Sequence, residues 1–382
     1  MNKKLEPIEA QIKSSAHAIG FSLIGITLPN QPRTYSTYQQ WLDDGKHAGM
    51  GYLASDRGRE RRKDPKKILP ECASIVVTAT AYLPEDHFAS SERAEARVAS
   101  YALGDDYHDV IVDRLDQLAG SIEDIVDQTI TSRVYTDTGP ILERDLAQRA
   151  GLGWIGKNTC LINPDHGSYF LLGEILLDYP LEPDPPFEAD RCGACTRCLE
   201  ACPTECILPD RTIDAGRCIS YLTIEEKGAI EEDLRSELGN WIFGCDICQQ
   251  VCPWNERFAR PTTDPAFQPR EFLRNPDLDS FLNLRPGSWL QDLRSSPLER
   301  PRRRGLVRNA AAVAGNLRST EHVDPLADLL HSDPEPVVRR HAAWALGQVN
   351  NSRARSELQN ALGREAEDDV LQEILAALQP PE

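Results

Sequence analysis

Nine of the eleven cysteines in this 382-residue chain fall between Cys192 and Cys252, and their spacing is that of a metal-cluster framework. The first run is Cys192-x2-Cys195-x2-Cys198-x3-Cys202-Pro203. In that spacing three thiolates hold one 4Fe–4S cubane and the fourth reaches across to a second. The second run, Cys245-x2-Cys248-x3-Cys252-Pro253, lacks its first cysteine, and Cys218 stands upstream to supply it. The spacing therefore assigns Cys192, Cys195, Cys198 and Cys252 to one cluster, and Cys202, Cys218, Cys245 and Cys248 to the other. Zinc sites draw on well-separated cysteine pairs, and these runs are tighter than that. Cys72, Cys160 and Cys206 are left over and are expected to be small buried hydrophobes. Two cubanes make an electron wire, so redox chemistry is expected at one end of it.

A second stretch resembles a nucleotide site and is better read otherwise. Gly151-Leu-Gly153-Trp-Ile-Gly156-Lys157-Asn158 matches GxGxxG and nearly matches a P-loop. Both motifs must follow a strand and open a helix to cradle phosphates. The preceding Ile141–Ala150 reads as a helix, so Gly151 is expected to close it. Asn158 also stands where a P-loop needs Ser or Thr. The glycines are then expected to let the backbone approach a flat ligand.

The elements that must position these groups read as a mixed α/β region over residues 1–185. Ile8, Ile12 and Ile19 mark a helix, Phe21–Thr27 and Ser74–Tyr82 read as strands, and Tyr169–Leu177 as a buried strand. Ile111, Leu115, Leu118, Ile122 and Ile125 step by four and three, the stripe of a half-buried helix. A proline-rich stretch near Pro180–Pro186 marks a boundary. The cysteine-rich module spans 186–258, a polar linker 259–300, and a helical tail 301–382. In the tail Arg308-Asn-Ala-Ala recurs as Arg340-His-Ala-Ala, and Gly315 as Gly347, each 32 residues on. That period is the grammar of a short HEAT-like array.

A net charge of −18 argues against indiscriminate nucleic-acid binding. Two local basic stretches remain: Arg57–Lys67 with seven Lys/Arg against two acids, and Arg300–Arg308 with five Arg and no acid. No apolar run approaches the roughly 18–20 residues that span a bilayer, and the N-terminal stretch has no apolar signal core. A cytoplasmic location with no membrane partner is expected, where cysteines serve as ligands rather than as disulfides.

Taken together, Gly104-x-Asp106-Tyr-His108, Thr136-Asp137-Thr-Gly-Pro140 leading into Glu143-Arg144, Ala150–Asn158, the double cysteine run with Cys218-Ile-Ser-Tyr-Leu222 between its halves, Gly244–Gln249 and the repeats resemble the epoxyqueuosine reductase family over nearly the whole chain. The resemblance implies an α+β cobalamin-binding domain, a ferredoxin-like double 4Fe–4S module and an all-α HEAT-like tail that grips tRNA. It implies reductive removal of an epoxide oxygen from epoxyqueuosine at the wobble position, with electrons from an external flavodoxin- or ferredoxin-type donor. Asp137 matches the family's proton donor; a carboxylic acid kept protonated by burial can serve so. Arg62, Asp137, Lys157, Asn158, Leu161 and Ser168 match positions that contact cobalamin or its loops. Asp106 and His108 stand next as acid–base groups, His108 being equally placed to cap the following helix, and Glu143 is expected to be structural. The two basic stretches then become RNA phosphate contacts. Competing expectations are a corrinoid-dependent reductive dehalogenase and an electron-transfer adaptor that is not an enzyme.

Overall fold

The structure, a computed structural model, describes residues 6–85, 95–287 and 293–379. Residues 1–5, on which part of the no-export reading rests, and 288–292 of the expected linker lie outside the described residues. The chain folds as two compact units. Unit 1 is residues 1–85, 104–215 and 247–268; unit 2 is residues 86–103, 216–246 and 269–382.

Unit 1 is built on a four-stranded antiparallel sheet. Its elements are α1 (Ile8–Ile19), β1 (Leu23–Thr27), α2 (Asp56–Lys63), β2 (Ser74–Ala81), α3 (Tyr107–Val126), β3 (Ser132–Tyr135), α4 (Glu143–Arg149), β4 (Trp154–Ile155), β5 (Leu161–Ile162) and β6 (Phe170–Leu177). The sheet order is β1-β2-β6-β3. β2 and β6 are central and covered on both faces, which is why they read as apolar runs rather than alternating ones. On one face lies α3, whose Ile111, Leu115, Leu118 and Ile122 are buried. Gly173 of β6 faces it, for a Cβ there would stand 3.0 Å from Ile111 and Leu115. On the other face Ile75, Val77, Ala79 and Leu176 pack with Leu146 and Ala147 of α4. Strand alternation puts Glu174 on that α4 face, in register with Val77 and Tyr135.

α4 ends as expected. Gly151 has φ +81, its N–H donates to the Gln148 carbonyl at 3.1 Å, and the Leu152 N–H reaches Ala147 at 2.9 Å. The glycine-rich segment then enters the β4–β5 hairpin instead of a helix, so no phosphate cradle forms. The expectation about a flat ligand needs correcting. A Cβ at Gly153 would meet the Ile162 carbonyl at 2.1 Å, and one at Gly156 the Ile162 side chain at 2.5 Å. These glycines make room for the hairpin's own partner strand. Among the described residues no helix is long and apolar enough to cross a membrane.

Unit 2 ends in α5 (Arg302–Leu317), α6 (Val323–Ser332), α7 (Pro336–Val349), α8 (Ser352–Leu362) and α9 (Asp368–Ala377). The two sequence repeats fall on α5 and α7. Gly315 of α5 lies against Trp344 of α7, and Gly347 of α7 against Ala377 of α9, which is the close approach that small residues permit. The Arg300–Arg308 run is not the phosphate face its charge suggested. Arg308 is 1% exposed and donates to the carbonyls of Leu222, Glu226 and Gly228. Arg303 is buried in an ion pair with Asp333, and Arg300 is paired with Glu225. Arg302 alone in this run is both exposed and without an ion pair in the described structure, and Arg304 is half-buried. Replacing Gly315 by Ala would drive a Cβ to 2.4 Å from the Trp344 ring. Overpacking of this kind costs about 1–3 kcal/mol, against a gain of about 1 kcal/mol in helix propensity, so thermal denaturation is expected to show a net loss.

Candidate active site and cysteine framework

The turn between β3 and α4 carries Asp137, and its neighbours come from the start of α3. Asp106 caps α3, its carboxylate accepting the His108 N–H at 3.0 Å, so the capping role falls to Asp106 and not to His108. The imidazole is thereby free to work sideways. His108 Nδ1 donates to Asp106 Oδ1 at 2.7 Å, and Nε2 lies 3.6 Å from Asp137 Oδ2. Tyr107 donates its hydroxyl to the same Asp137 oxygen at 2.7 Å and stacks on His108 with ring centroids 4.0 Å apart. The Asp137 side chain is 63% exposed.

This geometry decides where the protons sit. Desolvation disfavours the charged imidazole, but the hydrogen bond to Asp106 and the nearby Asp137 carboxylate outweigh it and raise His108 to about 9. Partial burial pushes Asp137 up, yet the neighbouring His108 and the hydrogen bond from Tyr107 prevail and hold it below the usual carboxylate range. These surroundings favour an Asp137 carboxylate beside a protonated His108, the opposite balance to an acid held neutral by burial. Glu143, the first residue of α4, goes the other way. Burial, then the nearby Asp137 charge, pushes it up to about 7. Glu174 is fully buried with neither carboxylate oxygen hydrogen-bonded, and burial raises it well above the ordinary range.

The cysteine framework lies in the same unit for its first cluster. Cys192, Cys195, Cys198 and Cys252 together line a cavity of about 190 Å³, with Ile162, Trp254 and Phe258. These are the four thiols that the spacing assigned to one cluster, including Cys252 from the second run. Trp154 of β4 donates its indole N–H to Cys192 Sγ at 3.4 Å. Burial, then the neighbouring thiols, pushes Cys198 up to about 11. Cys202 and Cys206 share a thiol hydrogen bond at 3.4 Å, which lowers Cys202 to about 5 and favours its thiolate form. Cys248 is half-buried in unit 1; in unit 2, Cys218 precedes the short helix Ile219–Ile224 and Cys245 follows Gly244.

The remaining predicted positions are spread over unit 1. Lys157 Nζ donates to the Gly193 and Cys195 carbonyls at 2.8 and 2.9 Å, and Asn158 to the Cys248 carbonyl at 3.3 Å. Both hold the cysteine loops. Ser168 sits in a buried network, its hydroxyl accepting from Gln249 and Asn255. Leu161 is packed in the core beneath α4. Arg62 is buried against the Tyr38 ring, within the field of Glu143. Of the leftover cysteines, Cys72 and Cys206 are buried as expected, while Cys160 is only half-buried. Sequence reading assigned no role to Tyr107 or Glu174. The visible signal for Glu174 was a lone acid inside the apolar run Phe170–Leu177.

A double-cluster cysteine framework, an acid–base centre in the unit that gathers its first four thiols, and helical repeats in the other unit define an iron–sulfur oxidoreductase. Family models match at residues 191–255 for a 4Fe-4S double cluster binding domain, 62–138 for epoxyqueuosine reductase QueG, DUF1730, and 300–379 for HEAT repeats. The chain is 41% identical to the epoxyqueuosine reductase of Pseudomonas aeruginosa, over 88% of this chain and 92% of that one. It is 37% identical to the Escherichia coli enzyme over 90% of each. A crystal structure of epoxyqueuosine reductase with an epoxyqueuosine-modified tRNA-Tyr stem loop superposes with a TM-score of 0.87 at 30% identity, covering 97% of this chain and 98% of that one. The chain belongs to the epoxyqueuosine reductase family.

The His108–Asp137 pair makes stability pH-dependent. His108 holds its proton to about 9 in the folded chain, against an unfolded value of about 6.5. Its contribution is therefore complete below about pH 6.5 and is lost as pH rises through the folded value. Asp137→Asn is expected to lower stability to denaturant at pH 6 and to converge with the parent near pH 10.

Proposed function

We propose that this chain converts epoxyqueuosine to queuosine in tRNA, using two 4Fe–4S clusters, cobalamin and the Asp137–His108 pair. The observation that carries the reading is the Asp137 turn: an exposed carboxylate backed by a charged imidazole, in the unit whose cavity gathers four cysteines. In this reading Cys192, Cys195, Cys198 and Cys252 hold one cluster, and Cys202, Cys218, Cys245 and Cys248 the other. Electrons come from an external donor of flavodoxin or ferredoxin type. Residues 1–185 form the cobalamin domain, 186–258 carry the electrons, and 301–382 grip the RNA.

The groups around Asp137 fit a cobalamin-dependent deoxygenation. They offer an exposed proton-transfer pair, and Asp137 has Tyr107 and His108 beside it, two groups that can resupply a proton. Arg62, Asp137, Lys157, Asn158, Leu161 and Ser168 would hold the cofactor or the loops beside it. When bound, cobalamin supplies a low-potential nucleophile toward an epoxide carbon. Loss of the epoxide oxygen as water to leave an alkene consumes two electrons and two protons. The alkoxide freed on ring opening takes its proton through Asp137, which draws on His108. A charged imidazole beside a carboxylate is well matched to this, since its proton is retained at neutral pH until a more basic oxygen arrives.

On the RNA side, Arg302, Arg57, Lys63, Lys66 and Lys67 are exposed and can meet phosphates. Arg303 and Arg308 are not part of this surface. Neutralising Arg302 with Lys66 and Lys67 is expected to reduce the salt slope of tRNA binding by about one unit per lost phosphate contact, with iron content unchanged. An unaltered slope places the RNA elsewhere.

Two substitutions test the chemistry. Asp137→Asn is expected to bind tRNA near normally while turnover falls about 10²–10⁴-fold, the worth of a positioned acid; turnover within a few-fold of the parent removes Asp137 from the mechanism. Cys198→Ser is expected to lose one cluster, about four irons by metal analysis, whereas Cys206→Ser keeps both.

A further inference from the structure

Asp137 has φ +57, a left-handed backbone that a residue with a side chain adopts at a cost and keeps only when its surroundings impose it. The turn is pinned at three places. Thr136 donates its hydroxyl to the Leu172 carbonyl of β6 at 2.7 Å. Gly139 lies on the Tyr135 ring so closely that a Cβ would stand 2.6 Å from it. Between these anchors the Asp137 N–H donates to Glu143 Oε1 at 2.5 Å.

We propose that Glu143 is the positioning residue of the site: its carboxylate holds the Asp137 N–H and so aims the Asp137 side chain at His108 and Tyr107. The inference deepens the functional reading above and rests on it for its effect on turnover. Four other charged or titratable groups bear on Glu143 or lie beneath it. Asp137 faces it from the turn, Arg144 follows it on α4, Arg62 approaches from α2, and Glu174 stands on the same face of β6. Glu143 is half-buried and lies within the field of Glu174, and two neighbouring carboxyls do not both ionise easily. Glu174, wholly buried and unpartnered, stays neutral and leaves the charge to Glu143. With Glu143 pushed up to about 7, its bond to the turn is charge-assisted above neutrality and weakens on protonation below it. One epoxyqueuosine reductase structure, from Bacillus subtilis, has its catalytic loop swung out of the active site.

The test reads His108 directly, by imidazole NMR titration of the full chain. In the parent His108 is raised to about 9 by Asp106 first and by Asp137 second, and only the Asp137 share depends on the turn. Glu143→Ala removes the anchor, and Glu143→Asp keeps the charge but falls one methylene short. Both are expected to lower the His108 value by about one unit, tenfold in proton affinity. Glu143→Gln keeps the acceptor and is expected to leave it near the parent value. Turnover should follow the same order: at least tenfold lower kcat for Ala and Asp at unchanged KM for tRNA, restored to within a few-fold by Gln, which also loses the parent's inflection near pH 7. Parent-like His108 titration in either Ala or Asp overturns the proposal. So does a Gln variant as impaired as Asp. The titration needs no turnover, so a failure of the functional reading is distinguishable from a failure of this one.

Discussion

Everything in unit 1 depends on bringing Cys252 into the cavity formed by Cys192, Cys195 and Cys198. A cubane needs thiolates at four corners, and the four cysteines that line this cavity come from two distant stretches. The device that joins them is a buried polar network with every member satisfied. Asn255 accepts the Ser168 N–H and donates to the Ser168 hydroxyl and the Gln249 carbonyl, while Gln249 donates to Ser168 in turn. Gly167 is required because a side chain there would meet the Asn255 amide oxygen at 2.3 Å. Such networks rigidify when complete and are costly when broken. From the other side, the β4–β5 hairpin supplies Trp154 to Cys192 and Lys157 and Asn158 to the loop carbonyls. The hairpin's glycines serve that packing.

The charges follow a consistent division. Around Asp137 the groups separate by environment: the exposed Asp137 is held below the usual carboxylate range beside a raised His108, while the half-buried Glu143 and the wholly buried Glu174 are pushed up. In unit 2, arginines are spent on structure. Arg235 is fully buried and bidentate to Glu373, and Arg308 binds backbone carbonyls. The tail can thus be arginine-rich while offering few free cations to RNA.

The parts of this protein legible in its sequence are those where chemistry dictates spacing. Thiolate geometry fixes x2 and x3 intervals, so the cysteines could be grouped before any fold was known, and four of them do line one cavity. Helix periodicity placed α3 on Ile111, Leu115, Leu118 and Ile122, and the 32-residue repeat placed α5 and α7. What was illegible depends on partners far along the chain. Arg303 and a solvated arginine look alike until Asp333 is seen beside one of them. Asp137 and His108 meet because β3 and α3 flank the same end of the sheet, and no local pattern reports that one holds the other's proton. Leu161 shows the same limit, as an apolar residue in a functional motif that packs in the core.

The most direct measurement is a single-turnover reaction under anaerobic conditions, with the full chain carrying its clusters and cobalamin, a chemical reductant and an epoxyqueuosine-bearing tRNA stem loop. The mass of the modified nucleoside reports the outcome. The account predicts loss of one oxygen atom for every two electrons consumed, dependent on both the clusters and cobalamin. Full retention of the epoxide oxygen by protein with its complete iron and cobalt would contradict it.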